Sequence, residues 1–213
     1  MRFVRLIVAN EETVLPNILI TGFSPFDGRI VNASWVAART YAAASHLEIP
    51  VVWGAPITRL REAIARHKPS TIISLGEGHE GYFTVETRAQ NVRKHRADNL
   101  GEFPKSVIMG DGPDCRIASI DAGFLQAELA AQDIPFRISE DAGQFLCEET
   151  LYCLETLRLE ENNVEKVTFV HLPPHGTSVQ YQNTESVVDE NLLKDFLGRL
   201  VEAVQKLKVI GNC

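Results

Sequence analysis

The sequence has few cysteines, no excess of basic residues and no long apolar run, and each shortage excludes a class of protein. Four cysteines in 213 residues are too sparse for a disulfide scaffold, and their spacings match no CxxC metal clamp. The net charge of −7 disfavours nucleic acid or an anionic membrane as a primary partner. No apolar stretch approaches the roughly 18 residues of a membrane helix.

The N-terminus is also unlike a targeting segment. MRFVRLIVANEE has a short apolar run that Arg5 interrupts and two glutamates follow, which is too short and too acidic for a signal peptide. With 45% hydrophobic and 23% charged residues, the composition is that of an ordinary globular protein. We therefore expect a reduced, cytoplasmic protein.

Apolar runs of strand length alternate with segments of helical period along most of the chain. Predicted strands cover 17–23, 50–57, 71–76, 83–92, 135–139 and 167–172. Predicted helices cover 33–45, a segment capped by Thr58 that stops at Pro69, 121–132, 147–161 and 185–208. Residues 93–118 have little periodicity and are expected to form an irregular excursion or a lid.

This alternation is typical of an α/β fold, a three-layer α/β/α sandwich with a mostly parallel open sheet. We expect a single domain over residues 1–213, with residues 1–16 as an N-terminal extension. Ligands in such folds bind beyond the carboxyl ends of the strands. One candidate there, GEGHEG at 76–81, matches GxGxxG, but its glutamates and the absence of a following helix disfavour phosphate binding. A flexible turn or a backbone wall for a small ligand are the alternatives.

Cys147 opens a predicted helix just after a predicted strand. The unpaired N–H groups and the dipole of a helix N-terminus favour a thiolate there, whereas Glu148 and Glu149 oppose it. Position alone leaves a structural cysteine as the more frequent outcome, so a histidine partner is required. Cys153, within the helix, is expected to be structural, and Cys115 and Cys213, in a loop and at the terminus, have no case for function.

His171 ends the predicted strand before two prolines. The strands that precede Cys147 and contain His171 are consecutive, so we expect them to be neighbours whose tips bring the two side chains together. A Cys–His pair of this kind forms a thiolate–imidazolium nucleophile. A structural histidine, or His175 as the partner, are the alternatives. A third group must orient the imidazole, and spacing cannot choose among Glu77, Glu80 and Glu86.

Three segments, in this order, resemble the pyroglutamyl peptidase I family of cysteine peptidases, family C15. TGFSPFDG with the trailing VNASW resembles the family pattern TGFxPFGG followed by NPSW. AGQFLC at 142–147 resembles AGxxxCN, and FVHLP at 169–173 resembles FIHxP. The resemblance runs from about residue 17 to residue 205.

The resemblance implies a Glu-Cys-His triad, a substrate with an N-terminal pyroglutamate, and no metal or organic cofactor. The family glutamate maps to Glu86 in ETRAQN, the nucleophile to Cys147 and the base to His171. The family arginine maps to Arg96, which we expect to act in catalysis beside the oxyanion. The expected substrate-binding residues are Phe23, Phe26, Asn32, Glu77, Phe145 and Leu146.

Several positions depart from the family pattern and affect the expected specificity. Asp27 replaces a glycine, Glu77 a glutamine and Glu148 an asparagine, and PHGTS follows the histidine motif. Plain packing is the alternative role for the two phenylalanines of the first motif.

We expect a cysteine peptidase that removes N-terminal 5-oxoproline through an acyl-thioester on Cys147. The alternatives are a related hydrolase for another small amide or lactam, and a non-catalytic binding module. The expected partners are a peptide or small amide, not nucleic acid or membrane, and the family suggests a homodimer or homotetramer.

Overall fold

The structure is a computed structural model, and it describes residues 17–207. The strands, in chain order, are β1 (Ile18–Phe23), β2 (Ser45–Ile49), β3 (Thr71–Glu77), β4 (Phe83–Glu86), β5 (Arg88–Gln90), β6 (Cys115–Ile117), β7 (Phe136–Ser139), β8 (Lys166–Leu172), β9 (Ser178–Tyr181) and β10 (Thr184–Val187). The helices are α1 (Ala33–Ala38), α2 (Ala55–His67), α3 (Ala122–Ala130), α4 (Leu146–Glu160) and α5 (Glu190–Lys206).

Six strands form the central sheet in the order β2-β1-β3-β8-β4-β7. The first four are parallel, and β4 and β7, which are parallel to each other, run antiparallel to β8. One apolar core joins one face of the sheet to α1, α3 and α5, and a second joins the other face to α2 and α4. The predicted α/β/α sandwich with a mostly parallel sheet is confirmed.

Helix α4 is unusual because most of it is buried, including three of its four acidic residues, Glu148, Glu149 and Glu155. It lies between the sheet, α2 and the small β5–β6 ladder. The buried carboxylates therefore need partners within the protein. Since α4 carries Cys147 in its first turn, these contacts fix the position of the thiol.

The structure corrects several predicted elements. The segment 50–57 is not a strand, because β2 ends at Ile49 and α2 begins at Ala55, with Gly54 rather than Thr58 as its N-cap. Helix α1 stops at Ala38, well short of the predicted 33–45. The predicted helix 185–208 starts as strand β10, whose hairpin with β9 the sequence reading missed.

We expected the strand that precedes Cys147 and the strand that contains His171 to be neighbours, but they are not. Strand β4 lies between β7 and β8, and β7 runs in the opposite direction to β8. Consecutive strands in the chain are thus not adjacent here, and the predicted route to a Cys–His meeting was wrong.

The smaller predictions have mixed outcomes. No helix follows GEGHEG, which leads from β3 into β4. Cys153 is 1% exposed and lies in the core as predicted, and its burial raises the pKa of its thiol. Cys115 lies on β6 instead of in a loop, and Cys213 and residues 1–16 lie outside the described residues. Within residues 17–207 no helix is long and apolar enough to cross a membrane.

Candidate active site

A histidine and a glutamate meet across the antiparallel pair β4–β8. His171 lies opposite Thr84 in the register of the two strands. Glu86 is two residues beyond Thr84 and therefore projects from the same face of the sheet. His171 Nδ1 lies 2.8 Å from Glu86 Oε1, and both residues are buried. Strand pairing thus fixes one nitrogen of the imidazole to a carboxylate.

Cys147 approaches the same imidazole from the first turn of α4. A Cβ atom placed on Gly76 would lie 2.9 Å from His171 Cδ2 and 3.0 Å from Cys147 Sγ. The thiol and the imidazole therefore converge over Gly76, which has no side chain to separate them. Because Glu86 occupies Nδ1, the ring nitrogen left for the thiol is Nε2. The predicted meeting of Cys147 and His171 is present, although it arises between a helix start and a central strand.

The pKa values of His171 and Glu86 depend on each other. Burial lowers the pKa of His171, but the charge and hydrogen bond of Cys147, with those of Glu86, outweigh it and raise the pKa from 6.5 to about 10. Burial raises the pKa of Glu86, yet its hydrogen bond and charge interaction with His171, helped by the Ser139 and Thr84 hydroxyls, bring it below 4.5. At neutral pH the imidazole is therefore protonated and the carboxylate ionised.

A small pocket adjoins the thiol. Its walls are Phe23, Phe26, Asn32, Val51, Glu77, Phe145, Leu146 and Cys147. This set contains every predicted substrate-binding residue together with the predicted nucleophile. The free volume is about 30 Å³, which accommodates a water molecule but not a small organic ring. A bound ring must therefore displace some of the lining side chains.

Aromatic rings and a guanidinium pack against the Phe26 and Phe145 wall of this pocket. The rings of Phe145 and Phe26 have centroids 6.1 Å apart, and Trp53 meets Phe145 edge-on at 4.9 Å. The guanidinium of Arg96 lies over Phe145, 4.6 Å from the ring centroid, and over Phe26 at 5.6 Å. Arg96 also pairs with Asp27 at 3.2 Å. The predicted catalytic arginine thus lies on the phenylalanine rings.

Two polar side chains line the pocket. Glu77 accepts a hydrogen bond from the backbone N–H of Ala33 at 2.9 Å and pairs with Arg29. Asn32 Oδ1 accepts from the backbone N–H and the hydroxyl of Ser34, while its Nδ2 donates to Ser24 O at 3.2 Å. Both Glu77 oxygens therefore accept hydrogen bonds, as expected of a carboxylate, and the Asn32 amide keeps one N–H for a ligand.

Two glutamates after Cys147, which we expected to oppose a thiolate, are held by partners. Glu149 forms a two-bond ion pair with Arg93, at 2.7 and 2.8 Å, and accepts from the N–H of Gly54 at 2.9 Å. Glu148 accepts from the backbone N–H groups of Gln90 and Gln144. Burial, the largest effect, raises the pKa of Glu148 despite these bonds. The charge of Glu149 is therefore offset by Arg93, and burial opposes ionisation of Glu148.

Residues 93–118 form no regular element apart from β6, and hydrogen bonds connect them to residues beside the pocket. Trp53 donates from its indole to Arg96 O at 2.9 Å and from its backbone to Asp98 Oδ2 at 3.0 Å. Asn99 Nδ2 donates to Pro25 O at 2.9 Å. The sequence reading missed these contacts because it assigned Trp53 to a strand. The clue available was an apolar segment interrupted by Gly54 and Pro56.

Comparisons with known proteins show the family of this chain. Residues 16–194 match the sequence model of the pyroglutamyl peptidase family. A pyrrolidone-carboxylate peptidase of Gloeobacter violaceus is 34% identical over 73% of this chain and 80% of its own length. One from Finegoldia magna is 28% identical over 92% of this chain and 98% of its own.

Solved structures give the same result. The crystal structure of Bacillus amyloliquefaciens pyroglutamyl peptidase I has a TM-score of 0.77 at 25% identity, over 89% of this chain and 96% of that one. A mutant pyrrolidone carboxyl peptidase from Pyrococcus furiosus, at 20% identity, shares the fold with a TM-score of 0.76, over 89% of this chain and 98% of its own. With a family match that spans most of its length, the chain belongs to the pyroglutamyl peptidase family.

Proposed function

We propose that this protein is a cysteine peptidase that removes an N-terminal pyroglutamyl residue from peptides. The observation that carries the proposal is the convergence of Cys147 and His171 over Gly76, with Glu86 2.8 Å from the far side of the imidazole. This arrangement supplies a nucleophile, a base and an orienting group. The small apolar pocket beside the thiol selects a compact acyl group.

In the proposed reaction the proton of Cys147 already resides on His171 as an imidazolium, and Glu86 holds the imidazole and stabilises its positive charge. The thiolate attacks the carbonyl of the N-terminal 5-oxoproline. The backbone N–H of Cys147, at the start of α4, faces the developing oxyanion, with Arg96 as a further donor. His171 then protonates the leaving amine, and water hydrolyses the acyl-thioester. No metal or organic cofactor takes part in these steps.

The two polar side chains of the pocket suit a lactam. The ring amide of 5-oxoproline presents a donor N–H and an acceptor carbonyl on neighbouring atoms. Glu77 offers an acceptor, and Asn32 retains one N–H donor. Phe23, Phe26, Phe145 and Leu146 surround the ring. Glu77 can accept from the lactam N–H while it remains paired with Arg29.

The test is release of free pyroglutamate from a pyroglutamyl peptide by wild type, Cys147→Ala and Cys115→Ala. Cys115→Ala is the matched control because it removes a half-exposed thiol from β6, outside the site. We expect wild-type turnover from the control and none from Cys147→Ala with the fold retained by circular dichroism. Equal turnover by both variants would reject the nucleophile, and no turnover by wild type would reject the activity.

One observation favours a second candidate function. The pocket has room for about one water molecule, and a carboxylate forms part of its wall, so another small amide or lactam could be the preferred substrate. A panel of pyroglutamyl, prolyl and open-chain glutaminyl amides separates the candidates. Preference for the pyroglutamyl amide supports the first proposal, and preference for another amide supports the second.

The cellular context is also part of the proposal. We propose a single domain over residues 1–213. We also propose a cytoplasmic location, because the described cysteines are free and free thiols persist in reducing compartments. Assembly as a homodimer or homotetramer is proposed from the family resemblance. Light scattering coupled to size-exclusion chromatography measures the assembly, and a monomeric mass would reject it.

A further inference from the structure

We propose that Thr84 is a positioning residue whose hydroxyl holds the Glu86 carboxylate in the orientation that engages His171. The inference rests on the proposed Cys-His-Glu mechanism. Thr84 belongs to none of the family motifs and does not line the pocket. The Glu86 side chain lies between it and the reacting groups.

The contact is direct and buried. Thr84 Oγ1 donates to Glu86 Oε1 at 2.7 Å, and the same oxygen faces His171 Nδ1 at 2.8 Å. Thr84 is 6% exposed and Glu86 1% exposed. The second carboxylate oxygen, Oε2, is buried and has no hydrogen-bond partner among residues 17–207. One oxygen therefore carries both of these contacts, and only one of them, from Thr84, comes from outside the triad.

Strand geometry explains why Thr84 occupies this place. Side chains two residues apart on a strand project from the same face, which puts Thr84 beside Glu86. The register of β4 and β8 places Thr84 opposite His171. The Thr84 hydroxyl is therefore close both to Glu86, on its own strand β4, and to His171, on the facing strand β8.

Loss of the Thr84 hydroxyl would increase the rotational freedom of the Glu86 carboxylate and would change the packing of the core very little. Valine has nearly the volume of threonine and suits a strand, but it cannot donate. In Thr84→Val the Glu86 carboxylate loses its 2.7 Å contact with the Thr84 hydroxyl and keeps His171 and the weaker influence of the Ser139 hydroxyl. Rotation about its last side-chain bond therefore becomes less restricted. A hydrogen bond to a charged group that is lost in this way corresponds to roughly a tenfold or larger change in rate.

The experiment compares Thr84→Val, Thr84→Ser and Thr168→Val in two assays. Thr168, on the same strand as His171, is 1% exposed, and its hydroxyl has no partner among the described residues. It is a matched control for replacing a buried threonine without loss of a hydrogen bond. One assay measures kcat and KM on a pyroglutamyl amide. The other measures iodoacetamide alkylation of Cys147 by peptide mass mapping and needs no substrate.

We expect Thr84→Val to lower kcat and the Cys147 alkylation rate about tenfold with KM nearly unchanged. Thr84→Ser, which keeps the hydroxyl, and Thr168→Val should stay within about threefold of wild type. Wild-type rates in Thr84→Val, or an equal loss in Thr168→Val, would overturn the inference. If Thr84→Val fails to fold, Thr84→Ser still tests the inference, since a loss as large as that expected for valine would overturn it.

The two assays separate this inference from the proposed function. If Thr84→Val slows alkylation as expected while wild type cleaves no pyroglutamyl amide, the function fails and the positioning role stands. If wild type cleaves the amide and Thr84→Val matches it in both assays, the positioning role fails and the function stands.

Discussion

Replacing Glu86 by glutamine tests the electrostatic centre of the site. The substitution Glu86→Gln keeps the size of the side chain and an oxygen that can accept from His171 Nδ1, which now lies 2.8 Å from Glu86 Oε1, but it removes the negative charge. A charge-assisted hydrogen bond contributes about 1.5–3 kcal/mol and a neutral one about 0.5–1.5 kcal/mol. The difference, about 1–1.5 kcal/mol, corresponds to roughly one pKa unit or a tenfold change in rate.

The direction of the shift follows from the charges around His171. Glu86 and Cys147 raise its pKa to about 10 against the effect of burial, so loss of one of these charges lowers it. The alkaline limb of the rate profile, where the imidazolium loses its proton, should move down by about one pH unit in Glu86→Gln. We also expect kcat/KM at neutral pH to fall roughly tenfold.

The assay is kcat/KM for a pyroglutamyl amide between about pH 5 and about pH 11. Stability gives an independent check. The raised pKa of His171 stabilises the fold below its unfolded value of 6.5, and this contribution is lost as the pH rises through about 10. The lowered pKa of Glu86 stabilises the fold above 4.5, and this is lost as the pH falls through the folded value. A Glu86→Gln profile that superimposes on the wild-type profile would refute this account.

Three further substitutions have expected outcomes. Gly76→Ala puts a methyl group 2.9–3.0 Å from the imidazole, the thiol and the buried Phe169 ring, so we expect loss of most activity and a lower unfolding midpoint; retained activity would contradict the packing argument. Phe145→Ala removes a pocket wall and should raise KM about tenfold with kcat kept; an unchanged KM would contradict it. Glu149→Ala leaves the Arg93 charge without its partner and should lower the free energy of unfolding, measured in denaturant, by about 3–5 kcal/mol. The control Glu62→Ala, which breaks an exposed ion pair, should lower it by less than about 1 kcal/mol.

Long apolar runs bounded by proline or glycine were the most predictable parts of the fold. Strands β3 and β8 and helix α4 lie within about one residue of the predicted bounds. Their side chains are almost fully buried, so local composition and tertiary environment favour the same structure. In such segments the hydrophobic pattern alone is sufficient.

Elements at the edge of the sheet or at the pocket were not predictable in this way. Strand β2, SHLEI, buries only Leu47 and Ile49. Its three polar residues leave too few apolar positions for the sequence pattern to predict a strand. The apolar segment that follows was predicted as a strand, but Val51 lines the pocket and Trp53 packs on Phe145. Apolar residues that form a binding pocket give the same local signal as those of a buried strand.

The site was predictable in its members but not in its assembly. The motifs identified Cys147, His171 and Glu86, whereas the order of strands in space could not be read from their order in the chain. Strand β4 inserts between β7 and β8, and that insertion brings Glu86 to the histidine. The contacts of Arg93 with Glu149 join residues far apart in sequence, and no local pattern indicates them.

The account's central claim is that the sulfur of Cys147 becomes acylated by the pyroglutamyl group. The most direct measurement is mass mapping of the protein after rapid acid quenching of its reaction with excess pyroglutamyl amide. We predict one added pyroglutamyl group on the peptide that contains Cys147, removable by hydroxylamine and absent from Cys147→Ala. An acyl group on another residue, or undiminished turnover by Cys147→Ala, would contradict the claim.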